Sequence, residues 1–206
     1  MVFKVVGNEV YEAIKAELLS GAYPQGSRID IAQMADALHT SATPVRESLM
    51  RLAGEQLVQA VPHLGFLTPR TSDAKLRRLI EWSQYQLLPA IQAAAIVKTA
   101  PSPSVKIATN LDPVLQLESI FLAIAAIDGN PELRVSIGRT NERLRIARKA
   151  RPSLRHEVEA ENAALAECLA AGDYVRLEAV VLDCHRRFHA LVPKIVERLE
   201  TESNGE

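Results

Sequence analysis

This 206-residue chain has few aromatic residues, only two cysteines and no excess of positive charge. Aromatic residues make up only 4% of it, so its cores must be filled by aliphatic residues and alanine, which suits helices. Its two cysteines, Cys168 and Cys184, do not form a CxxC pair, which favours reduced packing thiols over a disulfide or a metal site. A strongly basic chain would be independent evidence for nucleic-acid binding. The net charge of −1 provides no such evidence.

Long apolar runs and the common catalytic motifs are also missing. No run of about 18 uninterrupted apolar residues occurs, and the first residues do not resemble a signal peptide. We therefore expect a cytoplasmic protein without a membrane segment. The chain has no glycine-rich phosphate loop, nucleophile elbow or HExxH sequence, so we do not expect an enzyme. An enzyme would have to use Glu118, His185 and Asp183 around a metal ion.

The most informative segment is residues 38–52, LHTSATPVRESLMRL. A short helix predicted over residues 30–38 leads into a tight polar turn, and a second helix begins directly after it. The apolar residues of this second helix recur at i, i+4 and i+7, which predicts one buried stripe formed by Val45, Leu49 and Leu52. Two short helices joined by a turn of about three to four residues are typical of a helix-turn-helix.

The start of the second helix offers groups that can bind DNA. Ser41 is a candidate N-cap, and Pro44 lies in the first turn, where its missing N–H costs nothing. Backbone N–H groups and the helix dipole favour a phosphate at this end. The outward-facing Arg46 can reach guanine O6 and N7 with two donors, worth about 1–3 kcal/mol of discrimination. A phosphate contact or a salt bridge to a nearby glutamate is the alternative for Arg46, and Ser41 and Thr43 can donate to a phosphate or a base edge.

A two-stranded wing is predicted directly after this helix. Residues 57–61 alternate like a strand, residues 62–65 form a turn, and residues 66–68 can return as a second strand. Before the two short helices, an amphipathic helix over residues 10–19 is followed by a glycine C-cap. We therefore predict that residues 1–70 form a winged helix-turn-helix of three helices and a two-stranded wing.

Three consecutive segments, VYEAIKAELLSGAYPQGSRI, LHTSATPVRESLMRL and GEQLVQAVPHLGFLTPR, carry a family resemblance. Over residues 8–70, without gaps, they resemble the winged-helix domain of the GntR family of bacterial transcription regulators. The resemblance implies DNA contacts from the recognition helix, the wing and nearby arginines, for which the candidates are Arg28, Ser41, Thr43, Arg46, Arg51, His63 and Gly65. Where many relatives have a further arginine this chain has Ala42, so its preferred DNA sequence would be shifted. For His63, a solvated turn histidine is the alternative.

From Asp73 onward the sequence pattern is almost entirely helical. Helices are predicted over residues 73–99 with a kink near Pro89, 113–128, 132–149, 153–171 and 174–200, followed by a disordered tail over 201–206. Residues 71–206 should therefore form an all-helical bundle, which makes the whole fold mainly α. The segment from Arg134 to Arg155 holds eight Lys/Arg, which indicates either a solvated helix face or a groove for an acidic ligand or partner.

Short motifs in this second half also carry a resemblance. They are Glu118–Leu122 followed by Asp128–Asn130, Glu161–Asn162 with Cys168–Asp173, and finally His185. In order and spacing they resemble the all-helical ligand-sensing domain of the FadR-like branch of GntR regulators, often called FCD. This resemblance implies a domain that dimerises and binds a small organic metabolite. The stretch from residue 100 to 111 is shorter than is usual in that branch.

The sensing pocket of that branch often holds a metal ion bound by an Asp and a His one turn apart and by two further His. At the corresponding positions this chain has Glu118, Leu122 and Asn162, and the third histidine falls at Cys184 or His185. Leucine cannot coordinate and asparagine is a poor transition-metal ligand, so no metal cofactor is expected and only Glu118 and His185 remain as candidates. An arginine common on the first helix of this domain is replaced by Ser83. The expected effector pocket comprises Ser83, Glu118, Leu122, Asn162 and His185.

The favoured hypothesis is a bacterial transcription factor, acting as a repressor, that binds DNA as a homodimer and responds to a small organic metabolite. Because a two-fold symmetric protein binds a site of matching symmetry, its operator should be pseudo-palindromic. The alternative is a winged-helix regulator whose helical domain is only a dimerisation scaffold, with neither effector nor metal.

Overall fold

The structure is a computed structural model that describes residues 3–97, 111–152 and 155–204. Its described residues divide into two compact units. One comprises the residues up to Thr71 together with those from Glu197 onward, and the other comprises Ser72–Val196. The prediction divides the chain once, after residue 70. In the structure the end of the last helix, from Glu197, also groups with the first unit.

Up to Thr71, the described residues of the first unit form three helices and three short strands. In chain order these are α1 (Phe3–Ser20), β1 (Arg28–Ile29), α2 (Ile31–Ala37), α3 (Ala42–Gly54), β2 (Gln59–Val61) and β3 (Gly65–Leu67). The predicted winged helix-turn-helix is confirmed. Helix α1 begins well before its predicted start at residue 10.

The predicted two-stranded wing is confirmed as β2 and β3, and β1 adds a third antiparallel strand that was not predicted. The strand order is β1-β3-β2, with Phe66 opposite both Ile29 and Ala60. Hydrogen bonds extend the β1–β3 pairing, since Gly26 N donates to Thr68 O at 3.1 Å and Thr68 N donates to Ser27 O at 3.0 Å. A two-residue strand has no alternation to detect, which is why the sequence pattern did not reveal β1.

The turn between α2 and α3 is set by local backbone chemistry. Asp30 caps α2, and its carboxylate accepts from the N–H groups of Ala32 at 2.8 Å and Gln33 at 3.1 Å. After α2 the chain reverses through His39, whose φ of 50° lies in the left-handed region, and Thr40 N donates to Ala35 O at 2.9 Å. Ser41 then occupies the extended conformation of an N-cap before α3.

The core of the first unit forms where α1 and α3 pack together. The predicted stripe of α3 is confirmed, because Val45, Leu49 and Leu52 are each 0% exposed. Ile14 of α1 is also 0% exposed and belongs to the same cluster. With this stripe buried, the opposite side of α3 must face outward.

The second unit is helical throughout its described residues. It contains α4 (Asp73–Val97), α5 (Pro113–Ile127), α6 (Pro131–Lys149), α7 (Arg155–Ala171), α8 (Tyr174–Ala190) and the first part of α9 (Val192–Asn204). The core is aliphatic and includes Leu87, Ile91, Ile120, Ile124, Leu165 and Leu177. Cys168 and Cys184 are buried free thiols. The predicted end of α4 at residue 99 and the shortened stretch from residue 100 lie outside the described residues.

Two predictions about the C-terminal helices are wrong. The single helix predicted over residues 174–200 is two helices, because α8 ends at Ala190 and α9 begins at Val192. Pro193 explains the break, since its ring has no N–H and fits only the first turn of a helix. The tail predicted to be disordered from residue 201 instead continues α9 to Asn204. Ser203 Oγ donates to Leu199 O at 2.8 Å and accepts from Gln25 N at 3.1 Å.

None of the helices in the described ranges is long and apolar enough to span a bilayer.

The cap at Asp30 provides a direct test of how α2 is held. We expect Asp30→Ala to lower the free energy of unfolding of the first unit by about 1 kcal/mol, because two backbone N–H groups lose their acceptor. Asp36→Ala is the matched control, since Asp36 is exposed in the same helix, and its effect should stay within about 0.5 kcal/mol. Urea unfolding followed by circular dichroism measures both. Equal losses in the two variants would contradict the capping account.

Candidate DNA-binding surface and effector site

The outer face of α3 is polar and open at its N-terminal end. Ser41, Thr43 and Arg46 are all exposed, and the Ser41 side chain makes no capping hydrogen bond. The Ser41 hydroxyl and the first backbone N–H groups of α3 are therefore available to an anion such as a phosphate. Met50, 56% exposed, extends the same face by one turn and adds an apolar contact.

Arg46 is not engaged within the part of the chain that the structure describes, where no hydrogen bond or ion pair involves its side chain. Of the two glutamates considered as salt-bridge partners, Glu47 and Glu55, the second is disfavoured because its carboxylate already has partners. Tyr11 Oη donates to its two oxygens at 2.8 and 2.7 Å, and Lys15 Nζ lies 3.2 Å from Oε2. Burial acts to raise the pKa of Glu55, but the hydrogen bonds from Tyr11 and Lys15 outweigh it and hold that pKa below its usual value.

Arg51 has a structural role that sequence reasoning missed. Its guanidinium carbon lies 3.6 Å from the centroid of the Tyr11 ring, and its Nε lies 3.6 Å from Glu55 Oε1. The cation–π contact with Tyr11 joins α3 to α1, whereas the ion pair lies at the end of α3 itself. The Arg51 side chain remains 56% exposed, so a phosphate contact would have to use the N–H groups that face solvent.

The tip of the wing is shaped by two residues in the left-handed region. His63 has φ 63° and Gly65 has φ 86°, and the turn is closed by Leu64 N donating to Val61 O at 3.2 Å. His63 is exposed and Leu64 is 54% exposed. Arg28 is also exposed and lies on β1, at the edge of the same sheet. The sheet therefore carries both the wing residues and this arginine.

Ser83 and His185 are in direct contact inside the helical unit. His185 is 4% exposed and its Nδ1 lies 2.8 Å from Val181 O, while Nε2 lies 3.1 Å from Ser83 Oγ. Because the carbonyl can only accept, Nδ1 carries the proton and Nε2 accepts from the Ser83 hydroxyl. Burial, together with the charge of Arg148, lowers the pKa of His185 to about 4. The imidazole is therefore neutral near pH 7.

Glu118 is held by arginines of α6. Arg145 donates from Nε to Oε1 at 3.0 Å and from Nη2 to Oε2 at 2.5 Å, so the pair is bidentate. Arg148 Nη1 lies further away, 3.9 Å from Oε1. Both oxygens of this buried carboxylate are thus already occupied by a fixed cation.

Asn162 and Leu122 take structural positions. Asn162 is 0% exposed, and its Nδ2 donates to Pro113 O at 2.8 Å and to Gln116 Oε1 at 3.1 Å, which ties α7 to the start of α5. Leu122 packs against the hydrophobic core cluster and points toward Gly138 of α6. The five residues predicted to line an effector pocket are therefore not joined in one contact network.

The donor chemistry does not fit the metal ion that the FCD resemblance implies. His185 Nε2, the nitrogen a metal would need, already accepts from Ser83, and Glu118 is chelated by Arg145. Burial raises the pKa of Cys184 to about 11, so it is a thiol rather than a thiolate ligand. Among the described residues, His, Cys, Asp and Glu side chains do not assemble in groups of three or more that could hold a metal.

Sequence reasoning missed the buried arginine of α6. The basic segment from Arg134 to Arg155 was predicted to be a solvated face or a groove, but Arg148 is only 5% exposed. The signal was its spacing, because Ile137, Asn141, Leu144 and Arg148 recur at i, i+4, i+7 and i+11 along one helix face. An arginine that continues a buried stripe indicates an internal role.

Comparison with known proteins gives a family match within the first unit. Residues 7–67 match the family described as "Bacterial regulatory proteins, gntR family". A Streptomyces ambofaciens protein, described as an uncharacterized HTH-type transcriptional regulator in an unstable DNA locus, is 32% identical over 95 residues. That match covers 43% of this chain and 40% of the Streptomyces protein.

Two solved structures share the fold over most of the chain. Escherichia coli McbR/YncC has a TM-score of 0.68 at 22% identity, covering 91% of this chain and 96% of that one. A putative transcriptional regulator GntR from Rhodococcus sp. RHA1 has a TM-score of 0.75 at 14% identity, covering 90% of this chain and 96% of that one. At these identities the likeness shows the fold alone.

Within this chain, the match to the gntR family of bacterial regulatory proteins is confined to residues 7–67, in the first unit. The helical unit is not covered by the family match.

The neutral buried imidazole predicts a pH-dependent stability. Because the pKa of His185 is about 4 in the folded state and about 6.5 in an unfolded chain, the unfolded chain takes up this proton first as pH falls. The stabilisation that comes from keeping His185 neutral is fully present above about pH 6.5. The free energy of unfolding then declines by roughly 3 kcal/mol between about pH 6.5 and 4. His185→Gln should flatten that part of the curve, measured by denaturant unfolding at a series of pH values. His156→Gln, which removes an exposed imidazole, should keep the decline; an unchanged curve in His185→Gln would refute the assignment.

Proposed function

We propose that this chain is a cytoplasmic bacterial transcription factor that binds a pseudo-palindromic operator as a homodimer and acts as a repressor. In this proposal residues 1–70 bind DNA, while residues 71–206 form an FCD-like domain that dimerises and senses a small organic metabolite. The observation that carries it is the exposed, uncommitted Arg46 near the N-terminus of α3 in a GntR-family domain.

Sequence-specific binding would rest on a few placed groups rather than on net charge. Residues 1–70 hold six Lys/Arg against seven Asp/Glu, so non-specific attraction to DNA should be weak and the salt dependence shallow. Arg46 is placed to read a base edge, while Ser41, Thr43 and the helix N-terminus can fix the register through phosphates. The positive φ values of His63 and Gly65 form the tight turn at the wing tip. In this proposal His63 contacts the minor groove of the DNA.

A homodimer is supported by an apolar face on α4. Trp82 is 49% exposed, Tyr85 is 64% exposed and Ile96 is 82% exposed. With Pro89 they lie at i, i+3, i+7 and i+14, which places them on one side of the helix. An exposed apolar face of this kind is what a subunit contact buries. A two-fold dimer would place two copies of α3 on successive half-sites of an inverted repeat.

Control by a metabolite would require the ligand to bind the DNA-competent and DNA-incompetent states with different affinity. The buried polar groups of the helical unit, centred on His185 and Arg148, are the support for such a site. The scaffold alternative is favoured by Leu122, which cannot bind a polar ligand, and by the Arg145–Glu118 pair, which is already satisfied. Ligand-dependent thermal stabilisation of the purified protein separates the two.

Removing the Arg46 side chain tests the DNA-reading proposal. We expect Arg46→Ala to weaken binding to the cognate operator by more than about ten-fold, because a bidentate base contact is worth about 1–3 kcal/mol. Mobility shift measures the affinity, and circular dichroism should show an unchanged fold. Arg139→Ala is the control, since Arg139 is an exposed arginine of α6 and its loss changes the net charge equally. If both variants bind the operator like the parent, Arg46 does not read DNA.

Charging the apolar face of α4 tests the dimer. The double variant Trp82→Glu, Tyr85→Glu should be monomeric at concentrations where the parent is dimeric, because like charges would face each other across the contact. Sedimentation velocity gives the mass of each. Val175→Glu, which changes another exposed apolar residue, 74% exposed on α8, should leave the dimer intact. A dimeric double variant would place the subunit contact elsewhere.

A further inference from the structure

Met50 of α3 is a large apolar side chain that the first unit leaves open to solvent. It is 56% exposed, although the apolar stripe on the other side of the same helix is fully buried. Among the side chains of the first unit that the structure describes, Leu64 at the tip of the wing is the other large apolar one with comparable exposure, at 54%. The two residues therefore lie on the two elements to which the proposed function assigns DNA contacts.

Met50 is the neighbour of Arg46 on the outer face of α3. The two residues are four apart, so their side chains lie next to each other on the helix surface. One turn beyond Met50 is Gly54, where the space that a Cβ would occupy is open. One turn before Arg46 is the exposed and short Ala42. Arg46 and Met50 are therefore the two long side chains that protrude from a row otherwise made of small residues.

The charge of the first 70 residues gives an apolar contact more weight in DNA binding. With six Lys/Arg against seven Asp/Glu, attraction to phosphates contributes little, and binding depends more on contacts with base edges. In the major groove each base shows its own set of groups, and thymine is the base that presents a methyl group there. The unbranched, flexible side chain of methionine adapts well to such an apolar contact.

We propose that Met50 contacts the 5-methyl group of a thymine in the major groove, beside the guanine that Arg46 reads. This inference rests on the proposed function, because it uses the same DNA-reading helix. Four residues of a helix rise about 6 Å, and successive base pairs are about 3.4 Å apart. Each half-site of the operator therefore carries a thymine within about two base pairs of the guanine.

The test is selection from two random DNA pools, one synthesised with thymidine and one with deoxyuridine in its place. Uracil pairs like thymine but lacks the methyl group. From the thymidine pool the parent protein should enrich an inverted repeat with guanine and thymine at a fixed spacing, and from the deoxyuridine pool the preference at the thymine position should be lost. Replacing this one thymine by uracil in both half-sites should weaken binding in a mobility shift by about 15-fold, because each methyl contact contributes about four-fold.

Three variants assign this effect to one side chain. Met50→Ala should bind the thymine and uracil duplexes with equal affinity, because no side chain remains to contact the methyl group, whereas Met50→Leu should keep a preference for thymine. Leu64→Ala is the matched control, since it removes the other exposed apolar side chain. It should keep the full preference for thymine, because the methyl group lies in the major groove and the wing is proposed to contact the minor groove.

Several outcomes would overturn the inference. Equal binding of the two duplexes by the parent is one, and a thymine preference that survives Met50→Ala is another. If Met50→Ala changes the mass in sedimentation velocity and leaves the thymine preference intact, Met50 belongs to a contact between copies of the chain. A parent that enriches an inverted repeat but does not respond to the methyl group refutes this inference alone, whereas no enrichment from either pool refutes the proposed function as well.

Discussion

Burial of one stripe of α3 is the constraint on which the DNA-binding proposal depends. Val45, Leu49 and Leu52 are fully buried against a core that includes Ile14 of α1, so the helix cannot rotate without exposing three large aliphatic side chains. Each would lose about 1.5–3 kcal/mol of burial free energy. The orientation of Arg46 is thus a consequence of packing on the opposite side of the same helix.

A polar cluster reinforces this packing at the edge of the α1–α3 contact. Glu55 receives hydrogen bonds from Tyr11 and Lys15, and Arg51 lies over the Tyr11 ring. These interactions engage the carboxylate of Glu55, one of the two glutamates that could pair with Arg46. A chain with almost no net charge can therefore still present one uncommitted arginine at the place where a base would be read.

The helical unit, in contrast, has charged side chains buried in its interior. Glu118 and Arg145 satisfy each other, while Arg148 is held by an amide and an aromatic ring. A metal ion would need the His185 nitrogen and the Glu118 oxygens that are already engaged. Arg148 is thus a cation of the polypeptide itself in the interior of the helical unit.

Periodic features were predictable from the sequence, and single-residue features were not. The stripe of α3 and the helices of the second unit follow from repeated apolar spacing over many residues. Strand β1 is too short for any period, and the break at Leu191 depends on Pro193 alone. The burial of Arg148 was not predicted because charged side chains are usually exposed to solvent, although its spacing continues a buried stripe. The outward position of Arg46 could be derived, but the engagement of Glu55 by Tyr11 and Lys15, which lie far away along the chain, could not.

Whether this chain reads a DNA sequence can be measured by selecting bound duplexes from a random DNA pool. The enriched site is then tested by mobility shift at two salt concentrations. The account predicts an enriched short inverted repeat that the protein binds at nanomolar concentration with a shallow salt dependence. If no sequence is enriched, then the exposed face of α3 does not read DNA and the proposed function is wrong.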